Sequence, residues 1–223
     1  SGEPASGVAA SDEPVDGEAQ RKASVSMVRC VLFDIGGVLL RLGEAEYRQG
    51  VAERLGLPEL PKLYEERMPF IQRGEVDEAE VWFEMSGKRV EHEAFDELFE
   101  QVFPVNEAMV RFAAELRSQG FLTAALSNTQ KSHVRVMRRM GFLDGFNGVF
   151  FSNEIGARKP EPAAFRRVCE GLGLRPEEIV FIDDFEEYVA AARDCGLHAV
   201  RHAGDVDATR ARVLAVIGES GAA

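Results

Sequence analysis

Cysteine is scarce. Three residues in 223, Cys30, Cys169 and Cys195, are an odd number with no metal-ligand spacing. That excludes a disulfide-stapled secreted scaffold and fits a reducing compartment, so a cytoplasmic location is expected. Cys30 lies in an apolar run and reads as a small buried hydrophobe. Positive charge is short as well: 26 Lys and Arg stand against 38 Asp and Glu, a net charge of −12. A nucleic-acid partner is therefore not expected, although a locally positive site could still take a phosphate. No apolar run approaches the ~20 residues of a membrane span, and there is no signal-peptide core, so no membrane partner is expected. Residues 1–26 lack any apolar periodicity and consist mainly of Ala, Gly, Ser, Glu, Asp and Pro. Such a segment cannot offset its ordering entropy, and a disordered extension is expected. Within it, Ser1-Gly2 reads as a cloning remnant, and Met27 as a plausible native start.

What remains is rich in apolar residues, 45% of the chain with 15 Phe, enough for a sizeable core with a smaller companion. The run from Val28 to Phe33 reads as a strand buried on both faces, closed by Asp34 and the glycines Gly36 and Gly37. A helical block follows. Glu44–Leu55 carries Tyr47, Val51 and Leu55 at helical spacing before Gly56, and Leu63–Met68 suggests a short second helix. Asp77 followed by Glu80 resembles a capping box, with Val81, Met85 and Trp82 on the inner face of its helix. A fourth helix is expected over Glu91–Val102. The aromatic residues of this block read as its own core.

From Asn106 helices alternate with strands. Helices are expected over Met109–Gln119 (with Val110, Ala113, Leu116 and Arg117 in the pattern), to Met140, over Pro162–Gly171, Glu186–Cys195 and Val206–Ile217. Strands are expected at Phe121–Leu126, Val149–Ser152, Ile179–Ile182 and Leu197–Val200. This alternation predicts an α/β fold, a parallel sheet with helices on both faces, and the block before it reads as an all-helical insertion.

Three strands end in polar residues: Asp34, Ser127-Asn128 and Asp183-Asp184. A parallel sheet brings these ends to one edge, and the loop carrying Lys159 can reach it. Facing carboxylates need a cation, and oxygen ligands suit Mg²⁺. A lysine, a hydroxyl and backbone N–H groups suit an anion such as a phosphoryl group. Each residue taken singly has a plainer reading: Asp34 as a turn residue, Ser127, Asn128 and Asp183-Asp184 as helix caps, Lys159 as surface charge.

The segments FDIGGV, LSNT, ARKP and FIDD resemble, in order and spacing, the four motifs of the haloacid-dehalogenase-like hydrolase superfamily, over about Val28 to Val200. RGEVDEAEVWFEM is similar to the helical cap of the branch whose cap lies between the first two motifs. The closest likeness is to the subgroup holding a bacterial sugar-1-phosphate phosphatase and the phosphatase domain of mammalian soluble epoxide hydrolase. The resemblance implies a Rossmann-like parallel sheet core of residues 27–40 and 104–223 with an inserted all-helical cap of residues 41–103. It also implies a Mg²⁺-dependent phosphatase acting on a small phosphorylated metabolite, a sugar 1-phosphate among the candidates, as a monomer or homodimer. By that resemblance Asp34 is the nucleophile that forms an aspartyl-phosphate, while Ser127 and the Asn128 backbone hold phosphoryl oxygens. Lys159 neutralises charge, and Asp34, the Gly36 carbonyl, Asp184 and Asp183 surround the metal. Two positions depart from the pattern. Gly36 stands where typical phosphatases of the family carry a second aspartate as general acid and base, and Tyr188 stands where a polar residue often supports the metal site. A 2-haloacid dehalogenase-like C–halogen hydrolase and a non-catalytic binding protein of the same fold are the alternatives.

Overall fold

Four consecutive apolar residues, Cys30–Phe33 (β1), are wholly buried and form the central strand. The computed structural model describes residues 27–221, so the disorder expected for residues 1–26 lies outside the described residues. After β1 come α1 (Glu44–Leu55), α2 (Lys62–Gln72), α3 (Glu78–Ser86), α4 (Asp96–Val102) and α5 (Glu107–Ser118). These are followed by β2 (Leu122–Ser127), α6 (Lys131–Met140), β3 (Gly148–Phe151), α7 (Ser152–Ile155) and α8 (Pro162–Leu172). The chain closes with β4 (Ile179–Asp183), α9 (Glu186–Asp194), β5 (His198–Arg201) and α10 (Val206–Gly221). No helix among the described residues is long and apolar enough to cross a membrane.

The strands pair in parallel in the order β3-β2-β1-β4-β5. From β1 the chain moves outward through β2 to β3, then returns to β4 on the other side of β1. That reversal opens a crevice at the carboxyl ends of β1 and β4, where open α/β sheets bind ligands. Phe33 pairs with Ala125 of β2 and Ile182 of β4. Asp34 therefore leaves the sheet level with Asp183, and Ser127 lies one step beyond it on the other side.

Side chains alternate across a strand, so each strand feeds two cores. Val31 and Phe33 pack in one cluster with Met109, Phe112 and Leu116 of α5 and Val213 of α10. Cys30 and Leu32 pack in the other with Phe165 and Val168 of α8 and Ala192 of α9. A parallel sheet needs both faces covered, and each fully buried large side chain contributes roughly 1.5–3 kcal/mol.

Several helices differ from the periodicity reading. The buried stripe of α5 is Met109, Phe112, Ala113 and Leu116, with Val110 and Arg117 at its margin. The Arg117 guanidinium instead donates to Thr123 Oγ1 (3.1 Å). α2 runs past Pro69 to Gln72 because Ile71 is buried against Tyr64 and Val81, and that packing offsets the backbone bond Pro69 cannot make. The fourth helix starts late. His92–Phe95 is a 3₁₀ turn that seats Phe95 4.5 Å from the Trp82 ring before α4 begins. Most aromatic residues of the helical block do not form a separate core: Tyr47, Trp82, Phe95 and Phe99 are continuous with Phe33 of the sheet, while Tyr64 packs apart with Ile71 and Val81.

The insertion is anchored on α6. Asp77 caps α3 by accepting from the Ala79 N–H (2.9 Å) and also holds His92 (2.7 Å) and Lys131 (3.1 Å). Glu78 is buried, and its Oε1 accepts from the Ser132 N–H at 2.6 Å. A carboxylate there also meets the positive end of the α6 dipole. Asp96 is paired with Arg135 and Arg139, and Glu100 with Arg139 at 2.5 Å. Glu78→Ala leaves the Ser132 N–H buried without its acceptor and should lower unfolding stability by about 1–3 kcal/mol. Urea denaturation reads this directly, and a wild-type midpoint would show that the anchor lies elsewhere.

Candidate active site

Asp34 is the first residue past β1, and its N–H donates to Ile182 O across the strand pair at 2.8 Å. Its Oδ1 accepts from the Ile35 N–H (2.7 Å) and lies 2.6 Å from Lys159 Nζ. On its other side the same ammonium meets Asp183 Oδ2, also at 2.6 Å. Lys159 is 1% exposed and Asp183 not at all. The ammonium also lies over the rings of Tyr188 (5.1 Å) and Phe181 (5.4 Å). Asp183 Oδ1 accepts from the Phe185 N–H at 2.8 Å, so both oxygens of Asp183 are engaged.

The Lys159 backbone is clamped by Asn128. Asn128 Oδ1 accepts from the Lys159 N–H (2.7 Å), and Nδ2 donates to the Lys159 carbonyl (2.8 Å). Nothing in the sequence separated this task from a helix-capping one, because the partner lies across the sheet edge. The following loop is tied down in turn, with the Thr129 N–H donating to Ser152 Oγ at 2.9 Å. Tyr188 fills its departure from the family pattern with a weak 3.5 Å contact from Asn128 Nδ2 and with the ring face it turns to Lys159.

Electrostatically the cluster is unbalanced. Carboxylate oxygens of Asp34, Asp183 and Asp184 lie within 4.8 Å of one another, against the buried ammonium of Lys159 and a weaker pull on Asp184 from the exposed Arg201. Burial pushes the Asp34 carboxyl above the usual carboxylate range, with Lys159 pulling it back and Asp183 adding to the rise. Burial would lower Lys159, but Asp34 and Asp183 more than offset that and hold its pKa up. Asp184 is raised by burial first and by Asp183 second. Its Oδ1 is buried with no hydrogen-bond partner. Gly37 makes room for that carboxylate: at φ +78° a Cβ there would stand 2.3 Å from Asp184 Oδ2. An orphaned buried carboxylate oxygen beside further carboxylates, in an all-oxygen donor set, fits a hard divalent cation.

Asp34, Gly36, Ser127, Asn128 and Lys159 line one cavity of about 610 Å³. Asp183 and Asp184 are not among the residues lining it; Asp183 joins the site through Lys159, and both carboxylates lie close to that of Asp34. Tyr64, Phe99 and Phe103 line the same cavity, Phe99 and Phe103 as part of the main core and Tyr64 from its smaller cluster with Ile71 and Val81. Sequence reasoning missed His133, which lines it from the first turn of α6 with its ring centroid 4.8 Å from Tyr47 and 4.6 Å from Phe99. Its place one helical turn beyond the Ser127–Thr129 loop was the available signal. A second acidic group, Asp77, Glu78 and His92, stays apart and is already held by Lys131 and the Ser132 N–H.

A family model described as haloacid dehalogenase-like hydrolase matches residues 28–196. A phosphorylated carbohydrates phosphatase of Thermotoga maritima is 29% identical over 185 residues, covering 78% of this chain and 84% of that protein. Bifunctional epoxide hydrolase 2 of Rattus norvegicus is 30% identical over 115 residues, 48% of this chain, and the match spans about a fifth (21%) of that longer protein. Among solved structures, the magnesium complex of a HAD-family enzyme from Bacteroides thetaiotaomicron superposes with a TM-score of 0.70 at 25% identity. That superposition covers 81% of this chain and 96% of the other.

Burial takes the His133 imidazole down to about 3, whereas in an unfolded chain it titrates near 6.5. Between those values the unfolded state binds a proton that the native state refuses, so native stability falls as pH drops through this window. His133→Phe should flatten that acid-side loss. Denaturant midpoints of both proteins at about pH 7 and about pH 4 read the difference, and equal losses would remove His133 as a contributor.

Proposed function

This chain belongs to the haloacid dehalogenase-like hydrolases, and within that family we propose that it is a Mg²⁺-dependent phosphatase of small phosphorylated metabolites. The observation that carries the reading is the buried Lys159 held between Asp34 and Asp183 beside the orphaned Asp184 oxygen. The name of the Thermotoga maritima relative and the magnesium complex of the Bacteroides thetaiotaomicron enzyme support it. We read residues 41–103 as a cap over a core of residues 27–40 and 104–223. An orphaned carboxylate oxygen would be an unexplained expense in a carbon–halogen hydrolase working without a cation, which favours phosphoryl transfer.

In this mechanism Asp34 is the nucleophile. Lys159 and the Ile35 N–H both hold Oδ1, which leaves Oδ2 as the attacking oxygen. The Oδ2–P bond forms as the P–O bond to the leaving group breaks, and the leaving oxygen keeps the electron pair. The Ser127 hydroxyl, the Asn128 N–H and the Lys159 ammonium hold the phosphoryl oxygens as charge shifts onto them. Water then cleaves the aspartyl-phosphate, releasing inorganic phosphate and restoring Asp34. Asp183, with both oxygens engaged, positions Lys159. Asp34, Asp184 and the Gly36 carbonyl would hold Mg²⁺, which when bound would supply positive charge to offset the phosphoryl oxygens. The test is a screen of phosphomonoesters. Hydrolysis should need Mg²⁺, stop with chelator, and fall by about three orders of magnitude or more in Asp34→Asn. Near-wild-type activity of that variant, or full activity in excess chelator, overturns the reading.

Gly36 sets the leaving-group preference. Without a carboxyl at this position the departing oxygen takes its proton from water or from a residue of the helices at 41–103, so acidic leaving groups are favoured, anomeric sugar phosphates among them. The wild type should therefore hydrolyse a sugar 1-phosphate better than the 6-phosphate of the same sugar. A Cβ at Gly36 meets nothing within 4 Å, so an aspartate side chain can start there without a clash. Gly36→Asp should raise kcat for the 6-phosphate by roughly a hundred-fold and narrow the gap. A wild-type preference for the 6-phosphate, or a folded Gly36→Asp with the gap intact, contradicts the argument.

A further inference from the structure

The cavity has two unlike parts. Its base carries the charged groups described above. Its walls are largely apolar, with Leu40, Met68, Phe99, Phe103 and Met137 drawn from both the insertion and the core. Several polar side chains in those walls have partners, while Glu44 also lines them with its carboxyl raised by burial. Arg48 donates to Glu65 (2.9 Å) and lies over the Tyr64 ring, Arg158 donates to Gln72 (2.8 Å), and Gln130 donates to Ser132 (3.3 Å). His133 has no such partner, and neither does the Tyr47 hydroxyl beside it. The His133 ring stands edge-on to Tyr47 and tilted against Phe99, and its Nε2 is buried with no hydrogen-bond partner. Buried polar atoms are rarely left unpaired, and such an exception calls for a partner that is absent from the protein itself.

We propose that His133 is a specificity residue, giving a single hydrogen bond to a polar group on the leaving group of a phosphomonoester whose body is flat and apolar. The proposal rests on the phosphatase reading above and names the substrate class within it. Burial keeps the imidazole neutral, so it offers one donor and one acceptor nitrogen and is not a general acid. Aromatic walls at Phe99 and Phe103 favour a planar ring edge-on or stacked. A polyol would bury several hydroxyls against these walls without partners. A phenol-like leaving group meets both demands: it lies against the aromatic rings, presents one distal hydrogen-bonding group, and departs without an acid at Gly36. Pockets that hydrogen-bond a substrate hydroxyl reject the analogue lacking it far better than apolar pockets sort by size.

The test uses two near-isosteric pairs with leaving groups of closely similar acidity: 4-hydroxyphenyl against 4-methylphenyl phosphate, and the 3-substituted equivalents. With Mg²⁺ present, the wild type should favour the hydroxylated member of at least one pair by about ten-fold or more in kcat/KM, mainly through KM. His133→Phe should bring that ratio to near one, and His133→Asn, which keeps a donor and an acceptor, should restore part of it. A wild-type ratio near one in both pairs overturns the proposal whether or not the variants fold. So does a ratio that survives in a folded His133→Phe. Calorimetric binding of the same esters to Asp34→Asn separates the two readings. Hydroxyl-selective binding with no hydrolysis of any phosphomonoester by the wild type would defeat the phosphatase reading. Hydrolysis without selectivity would defeat the His133 assignment.

Discussion

The site depends on holding a lysine ammonium in the dry interior. Removing such a charge from water costs several kcal/mol, and only close carboxylates with good geometry offset it. Lys159 has two, each at 2.6 Å. That arrangement needs β1 and β4 adjacent, parallel and in the register that brings Asp34 and Asp183 out side by side. Lys159 itself arrives from the loop after α7, and Asn128 fixes the loop by bonding both its N–H and its carbonyl. Chain reversal at β1 and the loop clamp are thus conditions for burying the charge at all. Once they are met, the carboxylate next to the ammonium is held at the base of a cavity, the placement that the proposed phosphoryl transfer needs.

The same interaction explains the uneven use of the three carboxylates. Asp183 spends one oxygen on Lys159 and the other on the Phe185 N–H, so it is structural to the ammonium. Asp34 keeps one oxygen unengaged, and Asp184 has a buried oxygen with no partner. The two neighbouring glycines divide along the same line. Gly37 is required by close approach, because any Cβ there would collide with Asp184. Gly36 faces open space, so the missing side chain is a matter of chemistry and not of fit. An open position two residues from the proposed nucleophile, in a site that lacks a carboxyl there, shifts the burden of leaving-group expulsion onto the substrate.

Much of this was legible in the sequence because parallel sheets impose strong rules. Short apolar runs ending in Asp34, Ser127 and Asp183 could only converge if the strands were parallel, and alternation with helices made them so. The α1 boundary was readable from Gly56, whose positive φ ends the helix. Elements whose limits depend on distant packing were less legible. Pro69 reads as a breaker until the burial of Ile71 is known, and the α5 stripe shifts by a residue because Phe112 packs edge-on to Phe33. The Asn128 clamp and the unpartnered His133 depend on contacts across the chain, which periodicity does not encode. The aromatic residues of the insertion were visible, but not their continuity with the sheet, because composition does not say which core a ring will join.

That continuity has its own consequence, carried by α6. The loop before this helix holds Ser127 and Asn128, and its first turn holds His133 against Tyr47 and Phe99. Its N-terminal Ser132 N–H is capped by Glu78 of the insertion, and its exposed flank pairs Arg135 and Arg139 with Asp96. The buried Glu78 bond and the aromatic contacts exclude water, so the insertion cannot leave α6 without exposing a carboxylate, an N–H and several rings together. Surface ion pairs such as Arg139–Glu100 add little to that by themselves. The cavity walls are therefore fixed by the same contacts that dock the insertion. A leaving group that fills the space between Phe99, Phe103 and His133 would add to those contacts, and one that does not would leave His133 Nε2 unpaired. On the proposed reading, selectivity would be set where residues 41–103 meet α6, while the charged base below would serve any phosphoryl group that reaches Asp34.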